Sequence, residues 1–170
     1  MSSCCKKLDN EKDVVATQEA RCIIESKVPK KILCSTCGTV SRQVQYKTVY
    51  NLIKPELRSF LQEVQYYFCK DAFCKTVYFS NEDVYRFTVN DVTVKVFAKD
   101  FSENVPVCYC FGWTRYRIKW EIEETRQSTA AQEIAHEIKA KRCQCELNNP
   151  KGECCLGDVN IFVNKLLSET

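Results

Sequence analysis

Thirteen cysteines, most of them closely spaced, constrain this chain more than any other feature of its 170 residues. The amino terminus is polar and charged and has no apolar stretch of the signal-peptide type, and no run approaches the roughly 18 apolar residues that span a bilayer. These features predict a cytoplasmic protein, whose thiols stay reduced unless a metal binds them. The net charge of +3 is too small to indicate a nucleic acid as partner.

The first group of cysteines consists of two pairs between β-like segments. Cys34 and Cys37 are separated by two residues and followed by Gly38, and Cys69 and Cys74 are separated by four residues. Four thiolates about 2.3 Å from one ion suit Zn²⁺, and a closed shell of four cysteines leaves no position for a substrate. The spacing predicts a structural zinc, with free cysteines and a rubredoxin-type iron as the alternatives.

A second group of cysteines lies in the carboxyl-terminal part of the chain. It comprises Cys108, Cys110, Cys143, Cys145, Cys154 and Cys155. Soft thiolates select zinc, Cu(I) or iron–sulfur clusters, and a one-residue gap can place two thiolates on one iron of a two-iron cluster. The spacing predicts a 2Fe–2S cluster and leaves a second zinc site as the alternative.

Positive charges and backbone amides are expected to stabilise the negative charge of such a cluster. The candidate cations are Arg115, Arg117, Lys141 and Arg142. The candidate amide donors are those of Leu156, Gly157 and Asp158, at the start of a predicted helix.

The secondary-structure signals predict an α+β fold. Strands are predicted between residues 29 and 100, including one around residues 44–46 and a hairpin joining residues 84–89 to 92–97, and Pro55 predicts a short helix. Three further helices are predicted, one presenting Trp113, Tyr116 and Trp120 on a core face, one opened by a capping box at residues 129–132, and one from Leu156. The predicted division is a disordered, cysteine-containing leader (residues 1–28), a β-rich domain (29–103) and a helical domain (104–170).

Three stretches resemble the amino-terminal module of CopZ-type copper chaperones, of the (2Fe-2S)-binding metallochaperone family. They are residues 67–79, 105–115 and 143–159, and the resemblance extends from about residue 31 to 159. It implies a zinc ribbon-like domain followed by a 2Fe–2S domain resembling bacterioferritin-associated ferredoxin. The Met-x-Cys-x-x-Cys copper motif of the full-length chaperones does not occur in these 170 residues, so short stand-alone relatives are the closer match.

The resemblance also implies the ligands. Zinc would be bound by Cys34, Cys37, Cys69 and Cys74, and the cluster by Cys108, Cys110, Cys145 and Cys155. Cys143 and Cys154 are then left over and are candidate accessory ligands for a soft metal such as Cu⁺.

The predicted function is that of a metallochaperone or copper-handling accessory with a redox cluster. The alternatives are a ferredoxin-like electron-transfer partner and a zinc-stabilised module that senses iron or redox state. The predicted partners are metal ions and either a copper-transport ATPase or a redox partner. Enzymatic activity is not expected, because His136 is the only histidine and no phosphate-binding glycine-rich loop occurs.

Overall fold

The computed structural model describes residues 28–82 and 84–169. The predicted leader, with Cys4, Cys5 and Cys22, therefore lies outside the described residues apart from Val28. The described chain is an α+β structure, which confirms the predicted fold class. The strands are β1 (Lys31–Leu33), β2 (Val40–Val44), β3 (Tyr66–Phe68), β4 (Thr76–Ser80), β5 (Arg86–Thr88), β6 (Pro106–Cys108) and β7 (Trp113–Thr114). The α-helices are α1 (Tyr46–Leu52), α2 (Arg115–Thr125), α3 (Ala130–Lys139), α4 (Cys145–Asn148) and α5 (Leu156–Ser168), and a 3₁₀ helix spans Pro55–Phe60.

A five-stranded antiparallel sheet organises the first part of the chain. Its strands follow each other in the order β1-β2-β3-β4-β5. Every residue of β3 and β4 is buried, as their continuous runs of aromatic and β-branched residues predict. Thr76 and Ser80, the polar ends of β4, are buried with them. The sheet thus supplies most of the first hydrophobic core.

The predicted strand around residues 44–46 is wrong beyond Val44. Strand β2 ends there, Gln45 is extended, and α1 begins at Tyr46. Val49 and Leu52, three positions apart, are buried and give α1 a core-facing side. Burial of this side outweighs the β propensity of the local sequence.

The predicted hairpin between residues 84–89 and 92–97 is also wrong, because only its first half is a strand. The carboxylate of Asp91 accepts hydrogen bonds from the amide and the hydroxyl of Thr88 and so turns the chain at the end of β5. Beyond this turn, Val92 forms an isolated bridge with Ile53, and Val96 is buried in the first core. Residues 92–97 therefore cover the core as an irregular segment rather than as a sheet strand.

The carboxyl-terminal part packs helices around a second core. Helix α2 buries Ile118 and Ile122, whereas Tyr116 and Trp120 are more than half exposed. Trp113 is buried, but it lies in β7 and not in the helix. The predicted shared core face of Trp113, Tyr116 and Trp120 is therefore wrong.

Helices α3 and α5 begin close to the predicted positions. Ile134 of α3 and Val159 and Val163 of α5 are buried in the second core, and the two helices pack against each other. Thr129 precedes α3, but its hydroxyl contacts the carboxylates of Glu121 and Glu133 instead of capping the helix backbone. Within the described residues, no helix is both long and apolar enough to cross a membrane.

Candidate metal centres

The four cysteines of the first set meet in one place. The sulfur atoms of Cys34, Cys37, Cys69 and Cys74 all lie within 4.8 Å of one another. The sulfurs of Cys37 and Cys69 are 3.6 Å apart, close to the roughly 3.8 Å edge of a tetrahedron with 2.3 Å metal–sulfur bonds. Three of the thiols are buried and Cys37 is exposed. Four convergent thiols at this spacing fit a single tetrahedral ion.

A tight turn after β1 presents the first two cysteines. The amide of Gly38 donates to the carbonyl of Cys34 at 2.7 Å, and the amide of Cys34 donates to the carbonyl of Thr39 at 2.9 Å. Gly38 has a φ of +72°, which a residue with a Cβ adopts only with strain. The glycine therefore permits the turn that directs Cys34 and Cys37 towards the same point.

The second turn depends on two residues that the sequence analysis missed. The carboxylate of Asp71 accepts the amides of Phe73 and Cys74 at 3.0 and 2.9 Å. The ammonium of Lys99 donates to the carbonyls of Asp71 and Cys74 at 2.7 and 2.9 Å. An aspartate within a Cys-x4-Cys loop is a recognisable turn signal. Lys99 has no such signal, because it reaches this loop only through the fold.

The thiols of this set differ in acidity. Desolvation acts to raise the pKa of Cys37, but the hydroxyl and amide of Thr39, together with the thiols of Cys69 and Cys74, lower that pKa to about 7. Burial raises the pKa values of Cys69 and Cys74. A cation held by thiolates would release these protons, so its affinity should fall as the pH is lowered.

The second set of cysteines is assembled from three separate elements. Cys108 ends β6, Cys110 lies in the turn between β6 and β7, Cys145 begins α4, and Cys155 precedes α5. The sulfurs of Cys110 and Cys145 are 3.7 Å apart, and the thiols of Cys108 and Cys155 are neighbours that shift each other's pKa. The contacts therefore join Cys110 to Cys145 and Cys108 to Cys155. The one-residue spacing of Cys108 and Cys110 instead predicts that these two thiolates share one iron.

Several N–H groups point at these sulfurs. The Cys110 sulfur accepts from the amide of Gln144 at 3.4 Å and from the side-chain amide of Asn148 at 3.6 Å. The amide of Cys155 acts to lower the pKa of Cys145. Hydrogen bonds of this kind stabilise thiolates and metal-bound sulfur. Donation from the amides of Leu156, Gly157 and Asp158 to a bound cluster remains a prediction.

Burial and mutual contact set the acidity of these thiols. The neighbouring thiol of Cys155 lowers the pKa of Cys108 to about 7, although burial acts in the opposite direction. Contact with Cys108 raises the pKa of Cys155, and burial raises that of Cys145 to about 12. The thiol of Cys108, which has the lowered pKa, therefore lies beside Cys155, which retains its proton until a cation displaces it.

Three of the four predicted cluster cations have other partners. The guanidinium of Arg115 donates to the carbonyl of Phe97 at 2.8 Å and stacks over that ring. Arg117 lies 3.6 Å from Glu133. Arg142 forms a bidentate pair with Glu137, at the end of α3. These three side chains therefore stabilise helices and loops.

The two predicted accessory cysteines lie close to the second set. Cys143 is half-buried against the second core, whereas Cys154 is exposed. Cys154 is near enough to Cys145 and Cys155 to raise their pKa values by charge repulsion.

The comparisons with known proteins agree with this arrangement. Residues 31–93 match the zinc binding domain family that carries the name CopZ. The chain is 33% identical over 122 residues to the copper chaperone CopZ of Archaeoglobus fulgidus, and this alignment covers 72% of the chain but 57% of that protein. The chain thus spans little more than half of that relative's length.

A solved structure matches as well. The X-ray structure of the amino-terminal domain of Archaeoglobus fulgidus CopZ superposes with a TM-score of 0.66 at 27% identity, covering 76% of this chain and 96% of that domain. The matched domain thus includes both the sheet and a large part of the carboxyl-terminal half. The chain is therefore a relative of the amino-terminal module of CopZ-type copper chaperones.

Proposed function

We propose that the chain is a non-enzymatic, cytoplasmic metal-handling protein that holds one zinc ion and one 2Fe–2S cluster. The observation that carries this proposal is the presence of two separate sets of four cysteines. The first would hold zinc through Cys34, Cys37, Cys69 and Cys74. The second would hold the cluster through Cys108, Cys110, Cys145 and Cys155.

The zinc assignment is supported by the shape and closure of the first set. Its four sulfur atoms lie close enough together to bind one ion, and three of the four thiols are buried. A fully thiolate-filled shell leaves no open position for a substrate, which is typical of structural zinc. The role proposed for this ion is therefore to stabilise the β-rich half of the chain.

The cluster assignment is supported by the different shape of the second set. Its members are not all within 4.8 Å of one another; they form two neighbouring pairs, Cys110 with Cys145 and Cys108 with Cys155. Two pairs of thiols suit two irons, one pair for each, better than a single tetrahedral ion. A 2Fe–2S cluster supplies one-electron redox chemistry, and the N–H donors around Cys110 and Cys145 would tune its potential.

The proposed role in copper handling rests on the relative. CopZ of Archaeoglobus fulgidus is named a copper chaperone, and a bound redox cluster could supply the electron that keeps copper as Cu⁺. The proposed partners are therefore copper ions and either a copper-transporting ATPase or a redox protein. Cys143 and Cys154 are the proposed accessory Cu⁺ ligands, because they are soft donors beside the second set.

A ferredoxin-like electron carrier is the second candidate function. The observation that favours it is the partial exposure of Cys110, which would bring one side of a bound cluster close to solvent and to a redox partner. A carrier of this kind would not need Cys143 or Cys154.

The decisive experiment is metal analysis with an absorption spectrum on anaerobically purified protein. We expect a red-brown protein with about two irons, two sulfides and one zinc per chain. Two zinc ions without iron would contradict the cluster assignment and leave the zinc assignment standing.

Titration with Cu⁺ against a competing chelator separates the two functions. In a copper-handling protein, the double variant Cys143→Ser/Cys154→Ser should bind Cu⁺ more weakly than the wild type while its visible spectrum stays unchanged. Unchanged affinity would remove this site and favour the electron carrier.

A further inference from the structure

The segment that joins Cys145 to Cys155 is held by side chains from the β-rich half. Three of its backbone carbonyls each accept one hydrogen bond from that half. The hydroxyl of Thr48 donates to Glu146 at 2.6 Å and the side-chain amide of Asn51 donates to Leu147 at 2.9 Å. The hydroxyl of Tyr78 donates to Pro150 at 2.8 Å. We call Thr48, Asn51 and Tyr78 the clamp residues.

Two of the clamp residues are buried, and the bond made by Tyr78 is itself shielded from water. Tyr78 and Thr48 are both 0% exposed. A buried carbonyl that loses its donor has no water to replace it, which makes the loss of such a bond costly. Burial also raises the pKa of Tyr78 well above its usual value, so its hydroxyl stays protonated and remains a donor.

Close packing at Gly152 adds a steric constraint to the same segment. Gly152 has a φ of +68°, and a Cβ built on it would lie 3.0 Å from Val44 Cγ2 and 3.2 Å from Thr48 Oγ1. The segment therefore approaches β2 and α1 so closely that this position has no room for a side chain. Hydrogen bonds and packing thus define one path for residues 146–152.

The two ends of this path are cysteines of the second set. Cys145 contacts Cys110, and Cys155 lies near enough to Cys108 to shift its pKa. A shift of the path would therefore move two of the four thiols relative to the hairpin that carries the other two. We propose that the clamp residues are positioning residues for the second cysteine set. They hold Cys145 and Cys155 in register with Cys110 and Cys108 before any metal binds.

This inference rests on the proposed function only for the identity of the bound group, a 2Fe–2S cluster. The arrangement of the thiols is a property of the chain itself and can be measured without a cluster. The test therefore uses full-length, iron-free protein loaded with one equivalent of zinc, and the probe is a thiol-alkylating reagent. Mass spectrometry then reports the labelling rate of each cysteine.

The decisive variant is Tyr78→Phe, which removes one hydroxyl and keeps the ring. We expect Cys145 and Cys155 to be labelled about fivefold faster than in the wild type, as the loss of one hydrogen bond implies. Labelling of Cys34 and Cys69 should not change. In the cluster-loaded protein, the same variant should release iron to a chelator faster and alter the visible circular dichroism.

Tyr66→Phe is the matched control. Tyr66 is equally buried in the adjacent strand β3, but its hydroxyl donates to the carbonyl of Gln62 within the β-rich half. This variant should leave the labelling of Cys145 and Cys155 at the wild-type rate.

The inference is overturned if Tyr78→Phe labels like the wild type, or if it accelerates the labelling of Cys34 and Cys69 equally. Thr48→Val, which removes a clamp hydroxyl at nearly constant shape, decides by the same criteria if Tyr78→Phe does not fold. Wild-type protein that never acquires iron and sulfide would contradict the proposed cluster but would not alter the labelling comparison.

Discussion

Single side chains outside the cysteine sets complete both candidate metal centres. At the first set, Lys99 bonds two carbonyls of the Cys69–Cys74 loop, and Asp71 bonds two of its amides. At the second set, Asn148 and the amide of Gln144 donate to the sulfur of Cys110. Such neighbours orient metal ligands and tune their basicity, so their removal should affect metal binding without removing a ligand.

The two cysteine sets should respond separately to loss of a ligand. Cys34→Ser should lose zinc and unfold the β-rich half, because metal binding there contributes to folding free energy. Cys145→Ser should lose the cluster and keep its zinc. Metal analysis and circular dichroism check both variants, and Cys154→Ser, which removes an exposed thiol, is the control for zinc. Equal loss of both metals from Cys34→Ser and Cys145→Ser would contradict separate sites.

Lys99→Met should weaken zinc binding about tenfold, because the second turn loses the ammonium that bonds two of its carbonyls. Competition against a chromophoric zinc chelator measures the affinity. Lys95→Met is the control. That exposed lysine bonds Ser102 and Asp100 and, within the described residues, makes no bond to the Cys69–Cys74 loop. Affinities that fall equally in both variants would indicate a general effect of charge.

At the scale of elements, short irregular pieces position the cysteines while regular helices support them. The β6–β7 hairpin, the single turn of α4 and the start of α5 each contribute cysteines to the second set. Helix α5 packs against α2, α3 and β6, so it connects these pieces to the second core. The stability of the second set should therefore depend on apolar contacts between helices that carry no cysteine.

A buried residue of α3 tests this dependence. Ile134 is 1% exposed, and Ile134→Ala should lower the free energy of unfolding by about 2–4 kcal/mol through the cavity that it leaves. Ile161→Ala makes the same substitution on α5 at a residue that is 72% exposed, and it should change stability by less than about 0.5 kcal/mol. Urea unfolding compares the two variants. Similar losses would show that the α3–α5 contact is not important for stability.

In the molecule as a whole, contacts cross the predicted boundary near residue 103 and join the two parts of the chain. Helix α1 packs against α4, and Tyr78 of β4 bonds Pro150. Phe97 packs into the second core and meets Phe162 edge-on with ring centres 6.1 Å apart. The division into domains at 29–103 and 104–170 remains a prediction, and these contacts imply that each part influences the other.

Removal of zinc should therefore also loosen the structure of the carboxyl-terminal part. Strand β4 begins two residues after Cys74 and carries Tyr78, so disorder in the zinc loops should loosen the segment between Cys145 and Cys155. Hydrogen exchange before and after treatment with a zinc chelator should show lost protection at the amides of Asn149 and Gly152, which are bonded within this segment.

Helix α3 provides the internal control for that experiment. It packs on α5 rather than on the sheet, so the amides of Ala130–Lys139 should keep their protection. Unchanged protection at Asn149 and Gly152 would contradict coupling between the two parts.

Features that depend on neighbouring residues can be predicted from the sequence. The short spacing within the pairs Cys34–Cys37 and Cys69–Cys74 indicated a common site, and the four thiols do converge. The apolar spacing of α3 and α5 and the aromatic run of β3 and β4 likewise indicated the elements that the structure contains. A ligand loop or an amphipathic helix leaves such a signal because its periodicity is local.

Only the tertiary structure decided which distant residues meet. Residues 46–52 form a helix because the core buries one side of it, and Tyr116 and Trp120 are exposed because Ile118 and Ile122 occupy the core side of α2. The bond from Thr48 to Glu146 joins residues 98 positions apart, and the contact of Cys110 with Cys145 depends on the return path of the chain. Local periodicity contains no information about such contacts, because they depend on how whole elements pack together.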